Sequence, residues 1–295
     1  MPSSVPSRRS SGARRRPSSR HAAIRRRRHR ILAVVSAVTV VAGLAGLIGV
    51  RSLIGPSSSP KPASNPPIDP APAQVVNAVT TMPLAQQLAA ARTTPTVEPR
   101  LLHGPALTLG GKPELLYIGA EFCPYCAAER WAVVSALSHF GTWSGLQVTH
   151  SSSTDAYPNT PTLSFRSATY TSSYLSFRGV EETTNQLCQP GSGVCASNGY
   201  QLLQEPTAAE QRLIDIYDPH GSIPFIDLCG IADLVGASYD PAILAGQTPE
   251  QVAKCLGEPD TADAKQIGAA AATITKTLCQ ITKGLPARTC SEATA

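Results

Sequence analysis

Two cysteines separated by only two residues, Cys123-Pro124-Tyr125-Cys126, stand at the junction of two kinds of sequence. Before them, Glu114 to Ala120 is a short apolar run preceded by Lys112-Pro113, the pattern of a buried strand. After them, Ala127 to Phe140 places Trp131, Val134, Leu137 and Phe140 at helical spacing. The first cysteine therefore falls at a helix N-terminus, and the second within the first turn and roughly on the same face. Pro124 suits that turn, because the N–H it lacks would have had no partner there. A strand end, a helix start and two sulfurs are tied to one point, which restricts the chain to folds that can present such a point.

The remaining pattern alternates. Val75 to Arg92 has helical spacing with a break near Pro83, and Leu146 to Thr149 reads as a strand. Thr162 to Tyr170 and Tyr174 to Val180 read as an antiparallel pair or two irregular strands. Glu205 to Tyr217 is helical; Ser222 to Leu228 is an apolar strand, with Ala232 to Tyr239 as its hairpin partner. Thr248 to Leu256 and the Ala-rich Ala262 to Ile281 close the chain as helices. This order predicts an α/β fold with a β-rich and helical insertion.

Charge divides the molecule. The net charge is +5 over 295 residues, but eleven Arg and no acid lie in residues 1–30, leaving 14 Lys and Arg against 20 acids, a net of −6, for the rest. A basic surface for nucleic acid is therefore not expected, and no nucleic-acid partner is assigned. Ile31 to Val50 carries no charge and only Ser36 and Thr39 as polar interruptions. Twenty such residues suffice for a single transmembrane helix, and they exceed the roughly 7–15 apolar residues of a cleaved signal peptide. The arginines in front of it place the N-terminus in the cytoplasm and the rest outside the cell membrane. The expected organisation is a disordered tail at 1–30, a membrane helix at 31–50, a Pro/Ser/Ala-rich spacer at 51–73 and an extracytoplasmic domain at 74–295.

The chemistry expected at the junction comes from the helix end, where unpaired N–H groups and the dipole favour an anion. A thiolate is an anion and the attacking species in disulfide exchange. Cys123 and Cys126 are thus the candidate catalytic pair of a thiol–disulfide oxidoreductase, with protein thiols or disulfides as substrates, an unidentified redox partner, and no cofactor. Glu121, Glu129 and Arg130 are candidates for tuning the thiols; the competing reading of Glu129 and Arg130 is as solvated helix residues. Trp131 reads as core, and Glu181-Glu182 as a solvated strand end. Metal handling, with copper on the same two thiolates, is an alternative, although no second CxxC and no closely spaced histidine pair supplies further ligands, and no metal site is assigned. A non-catalytic scaffold is the other alternative. Cys188, Cys195, Cys229, Cys255, Cys279 and Cys290 form an even set suited to an oxidising compartment. Spacing favours Cys188–Cys195 and Cys279–Cys290, leaving Cys229 for Cys255, all as structural bridges; the alternative is that one pair serves as a second redox relay, although none has CxxC spacing at a helix start.

Ile223-Pro224-Phe225, about 100 residues after the CxxC and at the head of an apolar strand, fits the cis-proline element that faces the CxxC in thioredoxin-like folds. Ile223, Pro224, Tyr125 and Pro124 are the candidate substrate-binding residues. The stretch Tyr117 to Trp131 closely resembles a thioredoxin-like family of unknown function (DUF929), as do Tyr157 to Thr162 and Ile223 to Asp227. The resemblance runs from about Val75 to Cys290, and what it implies is a membrane-tethered thioredoxin-like domain.

Overall fold

The computed structural model describes residues 68–191 and 193–295. The Arg-rich tail, the apolar segment 31–50 and most of the spacer lie outside the described residues. Among those described, no helix is long and apolar enough to cross a membrane. The folded region begins before the expected boundary at residue 74. Asp69–Pro70 (β1) pairs with Gln147 and Val148, and the Ala71 N–H donates to Leu146 O at 3.0 Å.

Proline and glycine punctuate the elements between residues 73 and 119. Val75 to Arg92 forms two helices, α1 (Ala73–Thr80) and α2 (Leu84–Ala91), separated at Pro83, which cannot donate inside a helix. Arg100–Leu101 (β2) and Thr108–Leu109 (β3) lead to the long strand β4 (Lys112–Gly119). Gly110 and Gly111, at φ 60° and 77°, turn β3 into β4 through a two-residue hairpin that needs positive φ at both positions. Helix α3 (Pro124–Leu137) carries the two cysteines at its start. After it come β5 (Gly141–Ser144), β6 (Gln147–His150), β7 (Pro161–Ser164), β8 (Thr169–Ser172) and β9 (Ser176–Glu181). The hairpin β10 (Thr183–Leu187) and β11 (Tyr200–Leu202) precedes α4 (Ala208–Tyr217). Strands β12 (Phe225–Leu228) and β13 (Ala232–Val235) and helices α5 (Pro249–Leu256), α6 (Ala262–Ile281) and α7 (Ala287–Ala293) complete the chain. Capping boxes at Thr207/Glu210 and Thr248/Gln251 fix the starts of α4 and α5.

The fold is mixed α/β, with seven α-helices and several small sheets around one six-stranded sheet among the described residues. In that sheet β9 lies parallel to β4, β12 antiparallel to β4, β13 antiparallel to β12, and β2 beyond β13, with β3 folded back on β4. Of the two readings of Thr162–Tyr170 and Tyr174–Val180, the antiparallel pair does not form; the two segments stay separate strands. Strand β7 pairs with β6, β8 with β5, and β9 crosses to the central sheet. The apolar run at Val180 finds a more buried partner in β4 than in its sequence neighbour.

Alternation along β4 builds two cores. Leu115 and Tyr117 join Ile226 and Leu228 on one face, packed against Trp131 and Val134 of α3 and Ile267 and Ile274 of α6. Leu116 and Ile118 join Val180 and Phe225 on the other, under Leu213, Ile214 and Tyr217 of α4. Covered on both sides, β4 has no solvent face, which is why its sequence is a continuous apolar run. Helix α3 is buried at every position except Tyr125, so Trp131 is core as expected, while Glu129 and Arg130 are not the solvated residues of the competing reading. Strand β7 and the 3₁₀ turn Pro241–Leu244 close over the face of α3 that would otherwise meet water.

Candidate active site

The carboxyl end of β4 delivers the chain to the amino end of α3, where Cys123 is the cap. Its backbone is extended (φ −77°, ψ 124°), and its sulfur accepts the N–H of Cys126 at 3.4 Å. A side chain accepting from the first-turn amides is what helix starts require, and here a sulfur fills the role. Across from it, Ile223 O lies 3.7 Å from Cys123 Sγ, with the Ile223–Pro224 bond cis. Strand register makes the meeting: Phe225, next after Pro224, pairs with Ile118, near the end of β4. Cys123 is 5 % exposed and Cys126 fully buried.

The two thiols are pushed in opposite directions. The Cys126 thiol donating to its sulfur lowers Cys123 from the ordinary thiol value, helped by the first-turn amides and the Arg130 charge and opposed by burial. Cys126 is raised well above that value, first by burial and then by its bond to Cys123. The same contact thus favours the thiolate at Cys123 and the thiol at Cys126.

Arg130, one turn after Cys126, is fully buried and makes a two-point ion pair with Glu181 at the end of β9, at 2.9 and 2.6 Å. It also donates to Ala120 O at 2.9 Å and to Thr162 Oγ1 at 3.4 Å, and its guanidinium carbon sits 5.7 Å from the centre of the Tyr117 ring. Glu181 is thus no solvated strand end. It is buried, and the Phe165 N–H also donates to it.

The family model described as a domain of unknown function, DUF929, matches residues 102–280, more than half of the chain and including both cysteines, Arg130, Glu181 and Pro224. The chain belongs to the DUF929 family. The matched region is narrower at both ends than the span of Val75 to Cys290 expected from sequence. Neither a curated protein nor a solved structure gives a match.

Other sequence candidates of this DUF929 protein lie around the same point. Glu121 is buried, accepts Ser164 Oγ at 2.9 Å and faces Arg166 Nε at 3.6 Å; burial and then the nearby Glu181 raise its pKa. Glu129 holds the loop after β13, accepting Ser238 N at 2.7 Å and Ser238 Oγ at 2.9 Å. Burial lifts its pKa to about 7 despite those two donors. Pro124 is buried, whereas Tyr125 is 42 % exposed and meets Tyr157 edge-to-face at 6.0 Å. Tyr157 sits at φ 48°, where its carbonyl accepts from Ser151 and Thr160. Sequence reading missed Tyr157, Thr162, Glu181 and Ser238. The missing signal was a requirement: an arginine on the buried stripe of a helix demands an acid somewhere along the chain.

Of the other six cysteines, Cys188–Cys195 and Cys279–Cys290 are bonded, with Cα separations of 5.7 and 5.3 Å. The third expected bridge does not form: Cys229 and Cys255 are free. Cys229 turns the β12–β13 hairpin at φ 63°, at the end of the sheet far from Cys123, with Asp227 and Glu114 as its charged neighbours. Cys255 lies on α5, among Asp263, Glu258 and Lys254. Among the described residues no group of three or more His, Cys, Asp or Glu is placed to hold a metal ion.

Proposed function

We propose that this chain is a membrane-tethered, extracytoplasmic thiol–disulfide oxidoreductase acting on protein thiols or disulfides through Cys123 and Cys126. The observation that carries the reading is the capped sulfur: Cys123 Sγ accepts a first-turn N–H at 3.4 Å, with a strand-head carbonyl 3.7 Å away. A sulfur so placed is stabilised as thiolate and stands beside a backbone edge along which a substrate chain can lie. The strand order β9–β4–β12–β13, with the CxxC after β4 and Ile223-Pro224 before β12, supports a thioredoxin-like arrangement in which β5 to β8 are the insertion.

In the reducing direction the Cys123 thiolate attacks one sulfur of a substrate disulfide and expels the other as a thiolate, which takes a proton. Cys126 then gives up its proton and attacks Cys123 Sγ. The substrate's second sulfur leaves as a thiol, Cys123–Cys126 becomes the disulfide, and two electrons have passed to the substrate. The oxidising direction is the same path reversed. The redox partner that resets the pair, and the membrane tether implied by Ile31 to Val50, belong to this proposal.

Trapping tests the roles. Cys126→Ser accumulates mixed disulfides between Cys123 and substrate proteins, seen as thiol-sensitive adducts on non-reducing gels, while Cys123→Ser accumulates none. Adducts formed only by Cys123→Ser would reverse the assignment, and none from either variant would remove the enzyme reading.

A further inference from the structure

The two disulfides differ in one respect that matters for exchange. Cys279 and Cys290 are 2 % and 3 % exposed, packed between α6 and α7 in the main core. Cys195 is exposed and Cys188 half-buried. Their loops span 7 and 11 residues, a difference that changes the closure probability only about twofold. Chain entropy therefore barely separates the bridges, and access separates them sharply.

The exposed bridge is also tied to the cysteine pair. It closes the β10–β11 hairpin, where the Cys188 N–H donates to Gly199 O at 2.8 Å and Leu202 N–H to Val194 O at 2.9 Å. The hairpin holds the segment just before Cys123 at two points. The Glu121 N–H donates to Thr183 O at 2.9 Å, and Tyr200 stacks flat on Phe122 with ring centres 4.3 Å apart. An open groove of about 700 Å³ runs beside the hairpin, with Cys195 in its wall together with Glu182, Thr183, Gln204 and Gln211. A smaller groove of about 460 Å³ also borders Cys279 and Cys290, but both of those residues stay buried in its floor, whereas Cys195 stands exposed to an incoming thiol.

We propose that Cys188–Cys195 is a second exchange site, opened by an external dithiol that enters the groove and attacks Cys195 Sγ. The attacking thiolate forms a mixed disulfide with Cys195, and Cys188 leaves as a thiolate and takes a proton. The second thiol of the incoming molecule then attacks its own bonded sulfur and releases Cys195 as a thiol. The dithiol becomes a disulfide, and the chain gains two electrons in the hairpin that seats Phe122 and Glu121. This inference does not rest on the role assigned to Cys123.

The test uses the full chain carrying Cys123→Ser and Cys126→Ser, so that the first pair cannot take part. Reduced dithiothreitol is added under native conditions, samples are quenched with an alkylating reagent, and each cysteine is read by peptide mass. The expected result is that Cys188 and Cys195 are labelled at least about tenfold faster than Cys279 and Cys290, as exposed bridges are the labile ones. Both bridges persisting until the chain unfolds would overturn the proposal. So would opening of Cys188–Cys195 in the unsubstituted chain but not in the variant, since the bridge would then be a client of Cys123 and closed to external thiols.

Discussion

The central sheet ends in a buried cysteine on both sides, and the two are driven in opposite directions. At one end Cys123 lies beneath a helix start, with amide donors and a buried arginine nearby, and its pKa falls. At the other, Cys229 lies in a hairpin turn beside Asp227 and Glu114, and its pKa is pushed up to about 12 by burial and then by those acids. Burial alone raises a thiol. Lowering a buried thiol takes a set of donors and a cation supplied at the same place, and of the two ends only the α3 end has them.

Arg130 is the part of that set whose removal has the largest effect. Arg130→Met leaves Glu181 buried and unpaired, and urea unfolding should show a loss of about 3–5 kcal/mol. Arg130→Met combined with Glu181→Leu should recover most of it, because an apolar pair of similar volume replaces a fully desolvated ion pair. In the double variant the Cys123 pKa should rise toward the ordinary thiol value. An unchanged value would mean that the amides alone set it.

A smaller effect compares the sulfurs directly. Pulse alkylation at pH 7 of the reduced, folded chain should label Cys123 more than about a hundredfold faster than Cys229, given their thiolate fractions and access. Equal rates would dissolve the contrast between the two ends of the sheet.

The smallest effect concerns the acids. Glu129 at about 7 and Asp227 at about 6 are both raised by burial, so the folded state holds their protons to higher pH than the unfolded chain does. The stability each contributes is full below about pH 4 and is lost as pH rises to 7 for Glu129 and 6 for Asp227, at a slope of at most about 1.4 kcal/mol per pH unit and proton. Glu129→Gln should remove the fall between pH 6 and 7 and make the fall below pH 6 shallower, leaving there the share that Asp227 contributes. A fall of the same shape in the variant would assign it to other groups.

Legibility in the sequence was confined to features set within a few residues. An apolar run, a CxxC and a helical stripe are adjacent along the chain, so β4, the Cys123 cap and α3 can be placed from the residues alone. The same holds for α6, whose ends fall at Ala262 and Ile281 as expected. Pairing choices were not legible. Val180 could pair with its neighbour or cross to β4, and only the second choice carries Glu181 to Arg130, 51 residues away. The Cys229–Cys255 assignment failed for the same reason. Elimination treats cysteines as a list, whereas the fold sets one in a sheet turn and the other on a helix.

The sulfur that caps α3 has a thermodynamic consequence. Cys123 holds the Cys126 amide best as a thiolate, so the cap is strongest in the reduced protein and weakened once that sulfur is shared in a disulfide. Around a closed cycle, whatever stabilises the reduced fold over the oxidised one must make the disulfide easier to reduce by the same amount. A cap is worth about 1 kcal/mol, which on a two-electron couple is about 20 mV toward a more oxidising potential. In the proposed role, a residue drawn from the ordinary vocabulary of helix starts would therefore enter the electrochemistry of the site, with the helix itself as part of the couple.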